Sequence, residues 1–178
     1  MPKALVLLAD GFEDIEGIAA IDILRRAGIT TVTAGVTGNI VLSKHGVRSH
    51  ADARFIDMDA SKYDCLVIPG GTEGVDNLLR NPNVIKLARD YAESGKIVAA
   101  ICMGPKVLLQ AGVLKDKRAT IFPGQEKLLE RPRPDKVVVD GNIITSQGPG
   151  TAVEFALKIV EQLSGKMAAE KIRQHIVA

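Results

Sequence analysis

The chain predicts an α/β layered fold with a largely parallel central sheet. Short apolar runs alternate with longer segments of helical spacing along its 178 residues, the pattern of strands feeding crossover helices. Hydrophobic residues make up 46% of the chain and aromatic residues only 3%, so Val, Ile, Leu and Ala must build the core. Strands of that composition suit a sheet covered by helices on both faces. The length supports one sizeable core, and residues 1–178 read as one domain without internal repeat or linker.

Each element follows from its residues. Lys3 to Ala9 reads as a first strand, followed by a helix from about Asp14 to Ala27 that stops at Gly28. Thr30 to Val36 is a second strand. The more polar stretch from Asn39 to about Phe55, with turn residues Gly38 and Gly46, reads as short antiparallel strands at a sheet edge. Asp64 to Ile68 is a buried strand closed by Pro69-Gly70-Gly71, and Asn81-Pro82 supplies an N-cap and first-turn proline for a helix reaching about Ser94.

After Gly95, the run Lys96 to Ile101 reads as a buried strand, and Pro105 to Gly112 as a helix. Lys117 to Ile121 and Lys136 to Val139 are strands, the latter turning at Asp140-Gly141-Asn142 into Ile143-Ile144-Thr145 as a hairpin. Thr151 and Glu154 have capping-box spacing ahead of the stripe Val153, Ala156, Leu157 and Val160. That helix runs to about Ser164, and a short one fills Met167 to Ile176.

Charge and composition exclude several functions. Lys and Arg number 23 against 21 Asp and Glu and are spread along the chain, so there is no electrostatic footprint for nucleic acid. No apolar run approaches the ~20 residues needed to span a bilayer, and Met1-Pro2-Lys3 leads into a strand without a signal-peptide pattern. A cytoplasmic location is expected, in which Cys65 and Cys102 remain thiols.

Chemistry is announced at Cys102. It occupies the turn between the Lys96–Ile101 strand and the helix after Pro105, where a residue is lifted above the sheet edge. Helix amides there favour thiolate over thiol. Cys65, inside a strand, reads as core. In parallel sheets ligands collect beyond the carboxyl ends of the strands. Those ends deliver Asp10 to Glu16, Gly70-Gly71-Thr72, Cys102-Met103-Gly104 and Gln147 to Thr151. Backbone at Gly70 and Gly71 can approach a ligand closely, and an amide there together with that of Met103 forms a candidate oxyanion hole. Gly148 and Pro149 read as a turn lining the pocket. Among Asp10, Glu13, Asp14 and Glu16, spacing alone leaves the choice of acid open.

Ala99-Ala100-Ile101-Cys102-Met103-Gly104-Pro105, Val67-Ile68-Pro69-Gly70-Gly71 and Thr145-Ser146-Gln147-Gly148-Pro149-Gly150-Thr151, with Glu16 in the first strand–helix turn, resemble the ThiJ/PfpI superfamily. Its Parkinsonism-associated deglycase branch and the bacterial YajL-like members are the nearest match. The resemblance covers nearly the whole chain. It implies a flavodoxin-like three-layer sandwich with a small antiparallel edge, a homodimer, Cys102 as the reactive thiol and Glu16 as its carboxyl partner. It also implies glyoxalase activity, with deglycation as a related reaction, on small aldehydes or glycated substrates and with neither metal nor organic cofactor.

Departures from the family narrow the chemistry. PfpI-type proteases carry His directly after the nucleophile, where this chain has Met103, and some deglycase-branch members carry His where Phe122 stands. Peptide hydrolysis is therefore disfavoured. Only His45, His50 and His175 remain; by the resemblance, His45 and His50 fall in the region that forms the dimer interface and approaches the neighbouring subunit's site. Without an adjacent imidazole, Glu16 and backbone amides must manage the thiolate, and one proton shared between Glu16 and Cys102 is cheaper than two neighbouring anions. The expected function is a thiol enzyme acting on reactive dicarbonyls. Its rivals are an oxidative-stress sensor or redox-regulated chaperone working through oxidation of Cys102, and a nucleotide-binding module, for which Gly70-Gly71 lacks phosphate-loop spacing.

Overall fold

The apolar runs become strands whose side chains alternate between two cores. In the computed structural model, which covers residues 1–178, the strands are β1 (Lys3–Leu8), β2 (Thr30–Gly35), β3 (Ile40–Leu42), β4 (Arg48–His50), β5 (Ala53–Arg54), β6 (Cys65–Ile68), β7 (Ile97–Ile101), β8 (Arg118–Ala119), β9 (Arg131–Pro132), β10 (Val137–Asp140) and β11 (Ile143–Ser146). The helices are α1 (Asp14–Arg26), α2 (Thr72–Leu79), α3 (Pro82–Glu93), α4 (Pro105–Gln110), α5 (Ala152–Ser164) and α6 (Lys166–His175). The main sheet has seven strands in the order β10-β11-β7-β6-β1-β2-β5. All are parallel except β10, which pairs antiparallel with β11.

Ala4, Val6 and Leu8 of β1 pack with Cys65, Val67, Ala99 and Ile101 under α1, α5 and α6. Leu5 and Leu7 face the other way, with Leu66, Ile68, Val98 and Ala100, under α2, α3 and α4. This period-two division gives the expected flavodoxin-like three-layer sandwich. Each Leu, Ile or Val buried in this way contributes roughly 1.5–3 kcal/mol relative to exposure. The chain passes from β1 outward to β2 and then returns to the opposite side at β6, so strand order reverses between β1 and β6. A crevice opens beyond the strand ends at such a reversal.

Several local signals act as expected. Asn81 accepts the Asn83 amide at 3.0 Å, with Pro82 in the first turn of α3. Gly141, at φ 63°, begins the two-residue turn between Asp140 and Ile143.

Elsewhere tertiary contacts override the pattern. The antiparallel pair β3–β4 forms its own two-stranded sheet, and the edge of the main sheet is the parallel strand β5. The hairpin is drawn over the loop after β1 instead: Leu42 N–H donates to Asp10 Oδ1 (2.7 Å), Gly11 N–H to Leu42 O (2.8 Å) and Lys44 N–H to Phe12 O (2.8 Å). The expected strand Lys117 to Ile121 shrinks to β8, paired with β9. Thr120 N–H donates to the Thr145 hydroxyl (2.9 Å), and Arg118 N–H to Asp140 Oδ2 (2.9 Å), so side-chain acceptors replace a strand partner. The capping box at Thr151 does not form. Its hydroxyl is taken by Ser146 Oγ (2.6 Å) and Gly148 O (2.9 Å), and a 3-10 turn over Pro149–Thr151 precedes α5.

Candidate active site

At the end of β7 the backbone must reverse within one residue to enter α4. Cys102 absorbs that reversal at φ 63°, a left-handed conformation uncommon for a residue other than glycine. Its peptide is held from both sides: Cys102 N–H donates to Ser146 O and Phe122 N–H donates to Cys102 O, each over 2.9 Å. The residue is 6% exposed.

Glu16, the third residue of α1, is fully buried. Its Oε2 accepts the Gly70 amide at 2.7 Å, and its Oε1 has no hydrogen-bond partner within the chain. Gly70 is the meeting point. A Cβ added there would lie 2.5 Å from both Cys102 Cβ and Glu16 Oε2, and 3.0 Å from Cys102 Sγ. Only hydrogen fits between acid and thiol. Gly71, at φ 91°, is equally confined, because an added Cβ would come within 2.8 Å of the Glu13 amide nitrogen.

Electrostatics couple the pair. Burial pushes the Glu16 carboxyl up to about 7, with the charge of Glu13 adding to the rise, while the Gly70 amide, Cys102 and Lys44 pull it down. Burial and then the negative charge of Glu16 push the Cys102 thiol up to about 12, against the amides of Gly71 and Met103. The expectation that the turn alone favours thiolate is thus opposed: the amides do face the sulfur, but desolvation and a neighbouring anion outweigh them. Burial is the largest cause of both upward shifts, and for Cys102 the neighbouring Glu16 charge adds to it, so two anions side by side are disfavoured in the pocket closed around Gly70. Protonating Glu16 removes the charge that opposes the thiolate. The partnerless Oε1 is where a proton would leave no buried carboxylate oxygen bare.

Around this pair the structure gathers most of the expected site residues. Gly70, Gly71 and Met103 border the sulfur. Gly148 is buried behind Phe122, and Pro149 opens the following 3-10 turn. The histidines lie apart. His45 Nδ1 is 2.8 Å from Asp14 Oδ2 of its own chain, at the start of α1, and His50 is exposed on β4. Sequence reasoning missed Lys44, whose Nζ lies 3.2 Å from Glu13 Oε2 and offsets that buried acid beside Glu16. No local signal marks it, because the contact depends on the hairpin folding over the β1–α1 loop. The larger surface hollows lie elsewhere: one of about 490 Å³, lined by Arg89, Gly112 and Asn142, is at the opposite end of the strands from Cys102.

The model of the DJ-1/PfpI family matches residues 2–162. The chain belongs to the DJ-1/PfpI family. Within it, the chain is similar to a glutathione-independent glyoxalase of Caenorhabditis elegans, at 37% identity over 92% of this chain and 89% of the relative. It is also similar to a deglycase of Pyrococcus abyssi, at 33% identity over 90% of this chain and 99% of the relative. The solved structure of oxidized Toxoplasma gondii DJ-1 superposes with a TM-score of 0.96 and 35% identity, covering 99% of this chain and 98% of that one. As a DJ-1/PfpI member, the chain falls in the DJ-1 and deglycase branch, and none of its helices is long and apolar enough to cross a membrane.

Proposed function

We propose that this chain is a cofactor-independent cysteine enzyme acting on reactive dicarbonyls, of the glutathione-independent glyoxalase or protein deglycase type. The observation that carries the reading is the convergence of Cys102 and the buried Glu16 on Gly70. In the reactive form Glu16 holds the proton and Cys102 is the thiolate. The sulfur attacks the aldehyde carbon of an α-oxoaldehyde, forming a C–S bond, and the aldehyde oxygen takes the Glu16 proton to give a hemithioacetal. The Gly71 and Met103 amides are placed to hold that oxygen as charge develops. The Glu16 carboxylate then removes the proton from the former aldehyde carbon and returns it to the adjacent one, while the hydroxyl proton on the first oxygen passes to the second, leaving a 2-hydroxy thioester. Water adds to the thioester carbonyl while the Glu16 carboxylate takes one of its protons, the C–S bond breaks, and a 2-hydroxy acid leaves with the thiolate and the protonated Glu16 both restored. The balance is one dicarbonyl plus one water to one acid, so no redox partner is needed.

The test is methylglyoxal turnover without added thiol. Wild type should form lactate and Cys102→Ala should not; equal turnover by both, or none by wild type, overturns the proposal. A second reading uses the same sulfur as a redox sensor, and it is favoured by the donors already facing Cys102. A Toxoplasma relative has been captured oxidized. Stoichiometric sulfinate formation at Cys102 under mild peroxide, with negligible dicarbonyl turnover, would make this reading the correct one.

The working unit in this proposal is a homodimer. Ile15 and Ile18 on α1 and Leu42 and Val47 on the β3–β4 hairpin are all exposed by 46% or more. The hairpin folds over the loop leading into α1, and exposed apolar side chains on these two elements suit a protein interface.

A further inference from the structure

We propose that Phe122 is a specificity-determining residue, an aromatic wall that selects α-oxoaldehydes carrying a flat aryl or unsaturated substituent over those carrying a small or hydroxylated one. The proposal rests on the dicarbonyl reading and specifies which members of that class the site prefers.

Phe122 differs from the other phenylalanines. Phe12, Phe55 and Phe155 are buried, at 2%, 9% and 0% exposure, whereas Phe122 is 42% exposed. A phenyl ring left in water gives up burial that a core position would supply. The Phe122 backbone adjoins that of the nucleophile. Its amide donates to Cys102 O, and Cys102 in turn donates to Ser146 O, two residues before Gly148. The Cys102 peptide is therefore clasped between the Phe122 segment and the end of β11.

The ring is held in place. Ile121, immediately before it, is 1% exposed and anchors the segment, and Gly124 turns the chain away at φ 90°. One side of the ring lies against Gly148: a Cβ there would sit 3.4 Å from Cδ2 and 3.6 Å from Cε2. Gly148 has φ 169°, an extended conformation open to any residue. The absence of a side chain, not backbone strain, is what gives the ring its seat.

Polar groups nearby are already engaged. Gln147 Nε2 donates to Pro134 O (2.9 Å), which turns that amide away, and the Thr151 hydroxyl is committed to Ser146 and Gly148. A substrate substituent reaching this side of Cys102 meets the aromatic ring, while the Gln147 amide nitrogen and the Thr151 hydroxyl are already taken. A flat aryl group gains stacking contact there, while a hydroxylated group would give up water without replacement. Stacking of this kind corresponds to roughly 3- to 10-fold in relative rate.

The experiment compares kcat/KM for phenylglyoxal and methylglyoxal in wild type, Phe122→Ala and Phe122→Leu. The phenylglyoxal to methylglyoxal ratio should fall roughly 3- to 10-fold in both variants, with the leucine variant keeping apolar bulk to support the loop should alanine unsettle it. A parallel measurement needs no turnover: alkylation of Cys102 by N-phenyliodoacetamide relative to iodoacetamide should fall in the same variants. Unchanged ratios in both measurements would overturn the role of Phe122. If no dicarbonyl is turned over but the alkylation ratio falls, the dicarbonyl reading fails and the aromatic wall stands.

Discussion

Gly70 donates its amide to Glu16 Oε2 at 2.7 Å while its carbonyl accepts the Glu13 amide at 3.0 Å. Both polar groups of one backbone position are thereby held by the start of α1, and the acid is aligned with the strand end that faces Cys102. The glycine does this because it has no side chain to interpose, although its own φ is unremarkable for any residue.

Gly70→Ala should therefore damage chemistry and stability together. The added methyl forces Glu16 and Cys102 apart, and overpacking of this kind costs about 1–3 kcal/mol. Denaturant unfolding and iodoacetamide kinetics should show that loss together with at least about a tenfold slower alkylation of Cys102. Wild-type values for both would refute the geometry.

Stability should fall as pH rises through the Glu16 transition. Its folded value of about 7 lies above the ordinary 4.5, so the folded state retains a proton that the unfolded state releases. No penalty exists below pH 4.5; it grows to about pH 7 and is constant above, reaching on the order of 3 kcal/mol. Glu16→Gln should flatten this slope in urea denaturation across that range. A variant with the wild-type slope assigns the proton elsewhere.

The ultraviolet absorbance of the thiolate reports where the pair keeps its charge. Burial and the Glu16 charge raise the thiol, but when Glu16 keeps the one proton the pair shares and donates it to the sulfur, thiolate signal is expected in wild type at pH below ~8.5 and displaced upward in Glu16→Gln. A wild-type thiol that titrates at or above the ordinary value removes that arrangement from the resting enzyme.

Light scattering after size exclusion should give a dimer for wild type and a monomer for Ile18→Asp, which places a charge at an exposed apolar position of α1. If the monomeric variant keeps full turnover, His45 and His50 have no part in catalysis across subunits.

Much of this architecture was legible because local and global signals agree. The Cys102 turn follows from a buried run that ends at Ile101, with only Cys102 and Met103 before a helix-starting Gly104-Pro105, and Asn81 announces α3 by its cap. Helix α2 was not legible. It begins directly after Gly71, which offers no capping side chain, and it contains Gly74, a poor helix former. Gly74 is there for packing: an added Cβ would lie 2.7 Å from the Phe12 amide nitrogen. Thr151 misled for a related reason, since its hydroxyl was more useful to the turn at Gly148 than to the helix. In the site, Glu16 could be singled out from Asp10, Glu13 and Asp14 only through the family resemblance. What distinguishes it physically is the burial imposed by Gly70 and Cys102, which are distant in sequence.

The two cysteines end in opposite circumstances. Cys65 is wholly enclosed in β6, and burial lifts its thiol far above the ordinary range. Cys102, 6% exposed, lies just past the carboxyl end of its strand, in the pocket with Glu16. A sulfhydryl-directed probe thus meets one addressable position on the native chain, so a fluorophore or spin label can be installed at the pocket without first deleting the other thiol, and reagent consumed per chain becomes a direct count of intact sites.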